Sequence, residues 1–397
     1  MKAIIVGAGF AGLAAAEEFI RAGVDVEVFE ARDRVGGRVW SVPFAGATAE
    51  MGAEFILPHD VELIETAQRL GLQLVRKGTL YGDREPHGGE PVSRDQVAEA
   101  IELIRALPEA DGETVHGALR RAGCARGVAD VIAARLEVSC AYPADDLEAS
   151  VLREGAGAFG DFDTHTVQGG NDRIARRIAS GLGDTLHLSS QVRSVRWWQR
   201  EMRVGTDDAE ASADVAVVAV PASVIETIKF DPPLGEHKIN AYRAVRYGQA
   251  AKLFVPLRAA APPSATLSVP GRWWCYTQLG AHGEPLPFLA AFAGSPGGIE
   301  GFDLGNGPGR WLDAVEELRP ELELERDAAM ISTWEQDPWV RGAYSARAAS
   351  GSILDPELSR PLGRLAFAGE HTAGRWHGLM EGALRSGVRA ARQLLGG

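Results

Sequence analysis

Residues 1–38 constrain the fold of this chain more than any other stretch. Lys2-Ala3-Ile4-Ile5-Val6 is an apolar, β-branched run suited to a buried parallel strand, and Gly7-Ala8-Gly9-Phe10-Ala11-Gly12 follows at once as G-x-G-x-x-G. Gly7 permits the tight turn, Gly9 lets the backbone approach a pyrophosphate, and Gly12 lets the following helix, residues 11–22, pack closely on the strand. The first amides of that helix then face the phosphates. After Gly23 the chain turns into a second strand, residues 24–29. It ends at Glu30, about 20 residues past the glycine turn, where a carboxylate accepts the hydroxyls of an adenosine ribose. A bare glycine turn is the alternative, but strand, helix and acid agree on a dinucleotide site.

An acid at Glu30 disfavours a 2′-phosphate, so NADP suits the site least, and FAD and NAD remain. Behind it, Ala31-Arg32-Asp33-Arg34-Val35-Gly36-Gly37-Arg38 pairs two glycines, which let the chain pass close to a cofactor, with Arg38, which can neutralise a phosphate. This points to FAD. The run E-x-R-x-x-x-G-G-R resembles the signature of the two-dinucleotide-binding-domain flavoproteins, and in particular the flavin-containing amine oxidase family, the monoamine and polyamine oxidase group. The fold class implied is α/β: a Rossmann-like flavoprotein with a discontinuous FAD domain and a mixed α+β substrate domain.

At 397 residues the chain exceeds a single-core domain, so two domains are expected. Hydrophobic content of 45% with 24% charged residues is ordinary for a globular protein. A net charge of −13 and a pI near 5.3 argue against a nucleic-acid partner and weakly favour cationic substrates. Cys124, Cys140 and Cys275 are odd in number and widely spaced, which suits a reducing compartment and supplies neither a disulfide nor a metal framework. A strand beginning at Lys2 leaves no room for a signal peptide, and no apolar run nears the roughly 20 residues that span a bilayer. The expectation is a soluble cytoplasmic protein with no metal and no membrane partner, for which a homodimer is allowed. In this it departs from the mitochondrial monoamine oxidases, whose C-terminal membrane helix has no counterpart after Leu395.

Glu50-Met51-Gly52-Ala53-Glu54-Phe55-Ile56 resembles the family segment that runs beneath the flavin ring, with Gly52 and Ala53 leaving space. Glu54 is either a partner for a substrate ammonium or an exposed structural acid, the commoner case. Residues 60–70, 95–107, 113–122 and 128–139 carry helical spacing and 82–93 read as loop; 142–152 continue the helical half, with Asp145-Asp146 suited to a cap. Residues 172–182 are helical, 186–188, 192–197 and 202–206 read as a three-strand meander, and 214–220 as a buried strand stopped by Pro221. The family residue matching Val192 lays its backbone against adenine. Residues 249–255 form an apolar strand interrupted by Lys252, a cation that must find a partner or water. The resemblance implies that this lysine holds a water against flavin N5. Residues 259–271 and 294–309 are loops rich in Pro and Gly around Trp273-Trp274-Cys275-Tyr276, whose tryptophans are pocket wall or edge-strand core.

Trp334-Glu335-Gln336-Asp337-Pro338-Trp339 and Gly342-Ala343-Tyr344-Ser345 resemble the family's run to the flavin face. Where covalent monoamine oxidases carry the flavin-bonded cysteine this chain has Ala343, so FAD is expected to be non-covalent. Where they place the second tyrosine of an aromatic pair it has Leu379. Tyr344 remains as the one aromatic wall, which implies a different or broader amine. Residues 365–370 read as a strand whose Gly369-Glu370 end resembles the family contact with the ribityl and pyrophosphate. Gly378-Leu379-Met380-Glu381-Gly382-Ala383 opens the C-terminal helix, whose dipole favours the negative charge of a reduced flavin by a few tenths to about 2 kcal/mol. His371, Trp376 and His377 read as packing residues.

The resemblance covers nearly the whole chain. It implies an FAD domain of 1–74, 168–241 and 337–397, a substrate domain of 75–167 and 242–336, and a pocket between them. The implied cofactor contacts are Gly7, Gly9, Phe10, Ala11 and Gly12; Glu30, Ala31 and Arg32; Gly37 and Arg38; Met51, Gly52, Ala53 and Glu54; Val192; Trp334; Gly369 and Glu370; and Leu379, Met380 and Ala383. Lys252 and Tyr344 are the implied catalytic residues. The implied reaction takes a primary or secondary amine to an imine, hydrolysed to a carbonyl product, with molecular oxygen reduced to hydrogen peroxide. On the same fold the alternatives are an L-amino-acid oxidase, a desaturase or a protoporphyrinogen-type oxidase; of other classes, a non-catalytic flavin-binding module or an NAD-dependent protein. An amino-acid oxidase needs an arginine for the substrate carboxylate, and Gly52-Ala53-Glu54 offers none.

Overall fold

The computed structural model describes residues 1–153, 160–197 and 201–396. Lys2–Val6 is the central strand of a five-stranded parallel sheet in the order Leu365–Phe367, Val215–Val218, Lys2–Val6, Asp25–Phe29 and Leu186–His187. Val215–Val218 and residues 3–6 are continuous apolar runs because both faces are covered, whereas Asp25–Phe29 alternates. Ala3 and Ile5 pack under the helices Phe10–Arg21 and Met380–Leu395, while Ile4 and Val6 pack against a second sheet. That sheet runs Glu210–Ala213, Met202–Gly205, Ser194–Arg196, Lys229–Asp231. The two helices cross so closely that a Cβ on Gly387 would stand 2.1 Å from the Ala11 carbonyl oxygen.

A six-stranded sheet forms the other body, in the order Met330–Thr333, Ala250–Pro256, Phe288–Gly294, Trp273–Thr277, Ser264–Ser268 and Glu85–His87. All its pairings are antiparallel except the last. Arg126–Cys140 joins it to the helices Arg94–Ala106 and Val115–Arg121: Ile132 and Leu136 face the helical core, Val131 and Val138 the sheet.

Several local expectations change. Leu186–His187 is the edge of the parallel sheet rather than part of a meander, and the third meander strand is Glu210–Ala213. Glu85–His87 and Ser264–Ser268, read as loop, are strands that pair with each other. Phe288–Gly294 was not anticipated, and Pro296–Glu300 is a short helix inside a stretch read as loop. Trp273 and Trp274 lie in an interior strand and are core. Residues 142–152 hold only a short 3₁₀ turn, Ala149–Leu152. Asp146 there caps no helix; it accepts from the Tyr142 hydroxyl at 3.0 Å and the Ser350 amide at 2.9 Å.

Candidate active site

One cleft joins the carboxyl ends of the parallel strands to the inner edge of the six-stranded sheet. At its nucleotide end, helix Phe10–Arg21 starts with no side chain capping its first amides, and Gly9, Phe10 and Ala11 are on the wall. A Cβ on Gly9 would meet nothing within 4 Å. Glu30 is buried, and its carboxylate accepts from the Ala8 amide at 2.7 Å and the Arg32 amide at 3.0 Å. Burial nonetheless pushes its carboxyl above the ordinary range, and a carboxylate has room for further donors. An uncapped helix start, an open backbone face and an acid in want of hydroxyls fit the adenosine and pyrophosphate of FAD.

The cleft wall carries every contact position expected from the sequence except Gly12. A Cβ on Gly12 would stand 1.9 Å from the Gly7 carbonyl oxygen, so this residue works by helix–strand packing alone. Arg32 makes a two-pronged pair with Asp337, 2.7 Å on each side, with its guanidinium near the Trp334 and Trp339 rings. Arg38 lines the cleft with one nitrogen of its guanidinium engaged inside the protein. Its Nη1 donates to the Ala343 carbonyl and to Glu370, both at 2.8 Å. Glu370 also accepts from the Gly378 amide at 2.7 Å, the Ser345 amide at 3.2 Å and the Ser345 hydroxyl. Burial alone pushes the Glu370 carboxyl up, but Arg38 and these donors outweigh it and bring it to about 2.

At the other end, Met51 accepts from Ser332 Oγ at 2.8 Å and Trp334 Nε1 at 3.1 Å through its carbonyl, which pins the segment that carries Gly52. Glu54 is not the exposed acid expected. It is 5% exposed, and its carboxylate receives Lys252 Nζ at 2.6 Å, Lys77 Nζ at 3.0 Å, Tyr276 Oη at 2.6 Å and Gln278 Nε2 at 3.1 Å. Burial pushes this carboxyl up, yet the two lysines hold it well below the usual carboxylate range. Four donors from the protein thus occupy the two oxygens of this carboxylate. Lys252 also donates to the Glu50 carbonyl at 2.8 Å. Tyr344 donates its hydroxyl to the Ser139 carbonyl at 2.8 Å, near the end of helix Arg126–Cys140. Leu379 stands at the N-cap of Met380–Leu395, on the wall and without a side-chain cap. His377 lines the cleft with Nδ1 3.2 Å from the Ser345 carbonyl, and His371 is buried beside the Tyr242 ring. Lys77, Tyr276 and Gln278 were missed; the only signal for Lys77 was a cation on the inward phase of the strand Leu74–Leu80.

A dinucleotide turn opening on a cleft walled by a buried lysine and a tyrosine defines a flavin-dependent oxidoreductase. The chain belongs to the flavin containing amine oxidoreductase family, whose model matches residues 10–151 and 144–395. It is an FAD-dependent amine oxidase in the broad sense of that family. It is similar to putrescine oxidase of Kocuria rosea, at 27% identity over 99% of this chain and 95% of the relative. It is also similar to polyamine oxidase 1 of Oryza sativa subsp. japonica, at 28% over 99% and 97%. The solved structure of putrescine oxidase bound to putrescine shares the fold, with a TM-score of 0.85, 24% identity and 100% of both chains covered. Among the described residues no helix is long and apolar enough to cross a membrane.

Proposed function

We propose that this enzyme oxidises a primary or secondary amine to an imine, which hydrolyses to a carbonyl product, while oxygen is reduced to hydrogen peroxide. The observation that carries this reading is that Lys252 and Tyr344 share one cleft wall with Gly9 and Glu30. In this reading FAD lies between a domain of 1–74, 168–241 and 337–397 and one of 75–167 and 242–336. FAD, when bound, supplies the chemistry by taking up a hydride equivalent from the amine's α carbon. Gly7, Gly9, Phe10, Ala11, Glu30 and Val192 would hold its adenosine diphosphate, and Gly52, Ala53, Gly369, Leu379, Met380 and Ala383 its other half. No covalent tether is expected: Ala343 has no thiol, and burial pushes the wall's Cys140 thiol up to about 12, leaving no thiolate.

The remaining work falls to side chains. Tyr344, pinned through its hydroxyl, restricts the amine from one side, and Leu379 offers the other an apolar but not aromatic surface. Phe55, Tyr81 and Phe292 exclude water. Lys252 has three donors and spends two on Glu54 and Glu50, which leaves one for a water in the cleft.

Arg84 favours a second reading. Its guanidinium is buried over the Trp274 ring at 3.9 Å and donates to Ser139 Oγ at 3.2 Å. Its Nε has no hydrogen-bond partner among the described residues. Ser139 lines the cleft beside Tyr344 while Arg84 stands behind it, so the charge would act on the carboxylate of a substrate through the Ser139 hydroxyl. A panel of monoamines, diamines and amino acids, read by peroxide release and by anaerobic bleaching of the flavin, tests both readings. Turnover of simple amines supports the first, turnover confined to amino acids the second, and a flavin that no compound bleaches removes both.

A further inference from the structure

Around Glu54 the protein buries more cations than anions. Lys252, Lys77 and Glu54 are each less than a tenth exposed, and both ammonium groups converge on the one carboxylate. Among the described residues Lys77 has no other carboxylate within ion-pair distance. The next acid, Glu50, gives Lys252 only its backbone carbonyl. Its own carboxyl is turned toward Ser41 at 2.7 Å, the Asn171 amide at 2.8 Å and Thr166 at 3.4 Å, and burial pushes it up to about 7. Below that pH the cluster holds two positive charges against one negative. An excess of buried charge is costly unless something nearby balances it. Glu54 and Lys252 are on the cleft wall, and Lys77 lies over the ring of Phe55, which is also on the wall. The occupant of that wall is a flavin, which gains negative charge when reduced.

We propose that Lys77, Glu54 and Lys252 form a charge-setting cluster for the flavin: Glu54 is a positioning residue that aims Lys252 at the cleft, and Lys77 supplies an unbalanced positive charge that favours flavin reduction. The inference rests on the flavin assignment and is independent of which amine is the substrate. In a poorly screened interior such a charge acts at distances well beyond contact.

The test is the two-electron midpoint potential of the FAD-loaded enzyme, read against reference dyes at about pH 6, where Glu50 is protonated. Lys77→Met should lower the equilibrium constant for reduction tenfold or more, which is about 30 mV. Lys77→Arg keeps the charge and should stay within threefold of the wild type. If Lys77→Met does not fold, Lys77→Gln, which removes the charge but keeps a hydrogen-bond donor for Glu54, carries the same test. The positioning role predicts that Lys252→Met and Glu54→Gln are non-additive by more than threefold. A Lys77→Met potential equal to the wild type, a fall as large in Lys77→Arg, or additivity within threefold between Lys252→Met and Glu54→Gln overturns the corresponding part. Activity is not read. Retained flavin with no amine turnover would count against the substrate reading alone, and a protein that cannot retain FAD against the flavin assignment.

Discussion

The Arg38 guanidinium meets the Glu370 carboxylate at 2.8 Å, joining residues 332 positions apart beneath the cleft. Through this pair the first dinucleotide loop is tied to the junction of the last strand and the C-terminal helix. Arg38→Met would leave Glu370 buried and uncompensated, at a cost of about 3–5 kcal/mol. Thermal unfolding should show the loss, together with reduced flavin per protein. The pH dependence follows from the depressed carboxyl. Glu370 contributes stability above its unfolded value of about 4.5 and loses it as pH falls toward about 2. The gap between variant and wild type should therefore narrow across that acid window, and a gap that widens there would contradict the pairing.

Glu50 works in the opposite direction. Burial raises its carboxyl to about 7, so the folded state favours the protonated form and loses stability as pH rises from about 4.5 through 7. The total is on the order of 3 kcal/mol. Glu50→Gln keeps an oxygen for the Asn171 amide and removes the charge. Urea unfolding should find it equal to the wild type near pH 5 and more stable near pH 8. A variant less stable than wild type at the higher pH would show that the ionised form is the native one.

Gly52 sits where a Cβ would stand 1.8 Å from the Arg38 carbonyl oxygen, a backbone atom with little freedom to move. Gly52→Ala should therefore shift the Met51–Glu54 backbone at a cost of about 1–3 kcal/mol and weaken flavin retention. Visible absorbance per mole of protein after gel filtration reads the second effect. Full retention would mean that this segment tolerates displacement.

These relationships were unevenly legible in the sequence. Residues 1–38 could be read because their rule is local: an apolar strand, a glycine turn, an apolar helix and an acid follow one another within one supersecondary unit. The strand Glu85–His87 is too short for a periodic signal and exists because Ser264–Ser268 lies beside it, and Ser264–Ser268 is mostly small and polar, held between Glu85–His87 and Trp273–Thr277. Phe288–Gly294 is apolar on both phases, with only Phe292 short of full burial, so alternation could not mark it. The family resemblance drew attention to Lys252 but not to its anchor. Glu54 looked exposed because Lys77, Tyr276 and Gln278 come from other strands and loops. In the same way the pairing of Arg38 with Glu370 was hidden, because Glu370 lies at the far end of the chain.

Tyr344 combines a ring on the cleft wall with a hydroxyl bound to Ser139. Tyr344→Phe keeps the ring and should leave kcat/KM within about threefold. Tyr344→Leu removes the aromatic face, worth about 0.5–1.5 kcal/mol, and should lower kcat/KM for the best amine by roughly twofold to tenfold. Equal losses in both variants would transfer the role from the ring to the hydroxyl.

Lys252 separates binding from chemistry. Its ammonium touches Glu54 and the Glu50 carbonyl and retains one donor, while the expected contacts for the adenosine diphosphate lie at the far end of the cleft. Lys252→Met should therefore keep FAD bound yet slow at least one half-reaction tenfold or more. Loss of the ammonium leaves Glu54 paired with Lys77, so the carboxylate stays compensated and folding should survive. Stopped-flow traces under anaerobic and aerated conditions resolve the two half-reactions. Reduction and reoxidation both at wild-type rates, with flavin content unchanged, would remove Lys252 from the mechanism and leave it a structural cation.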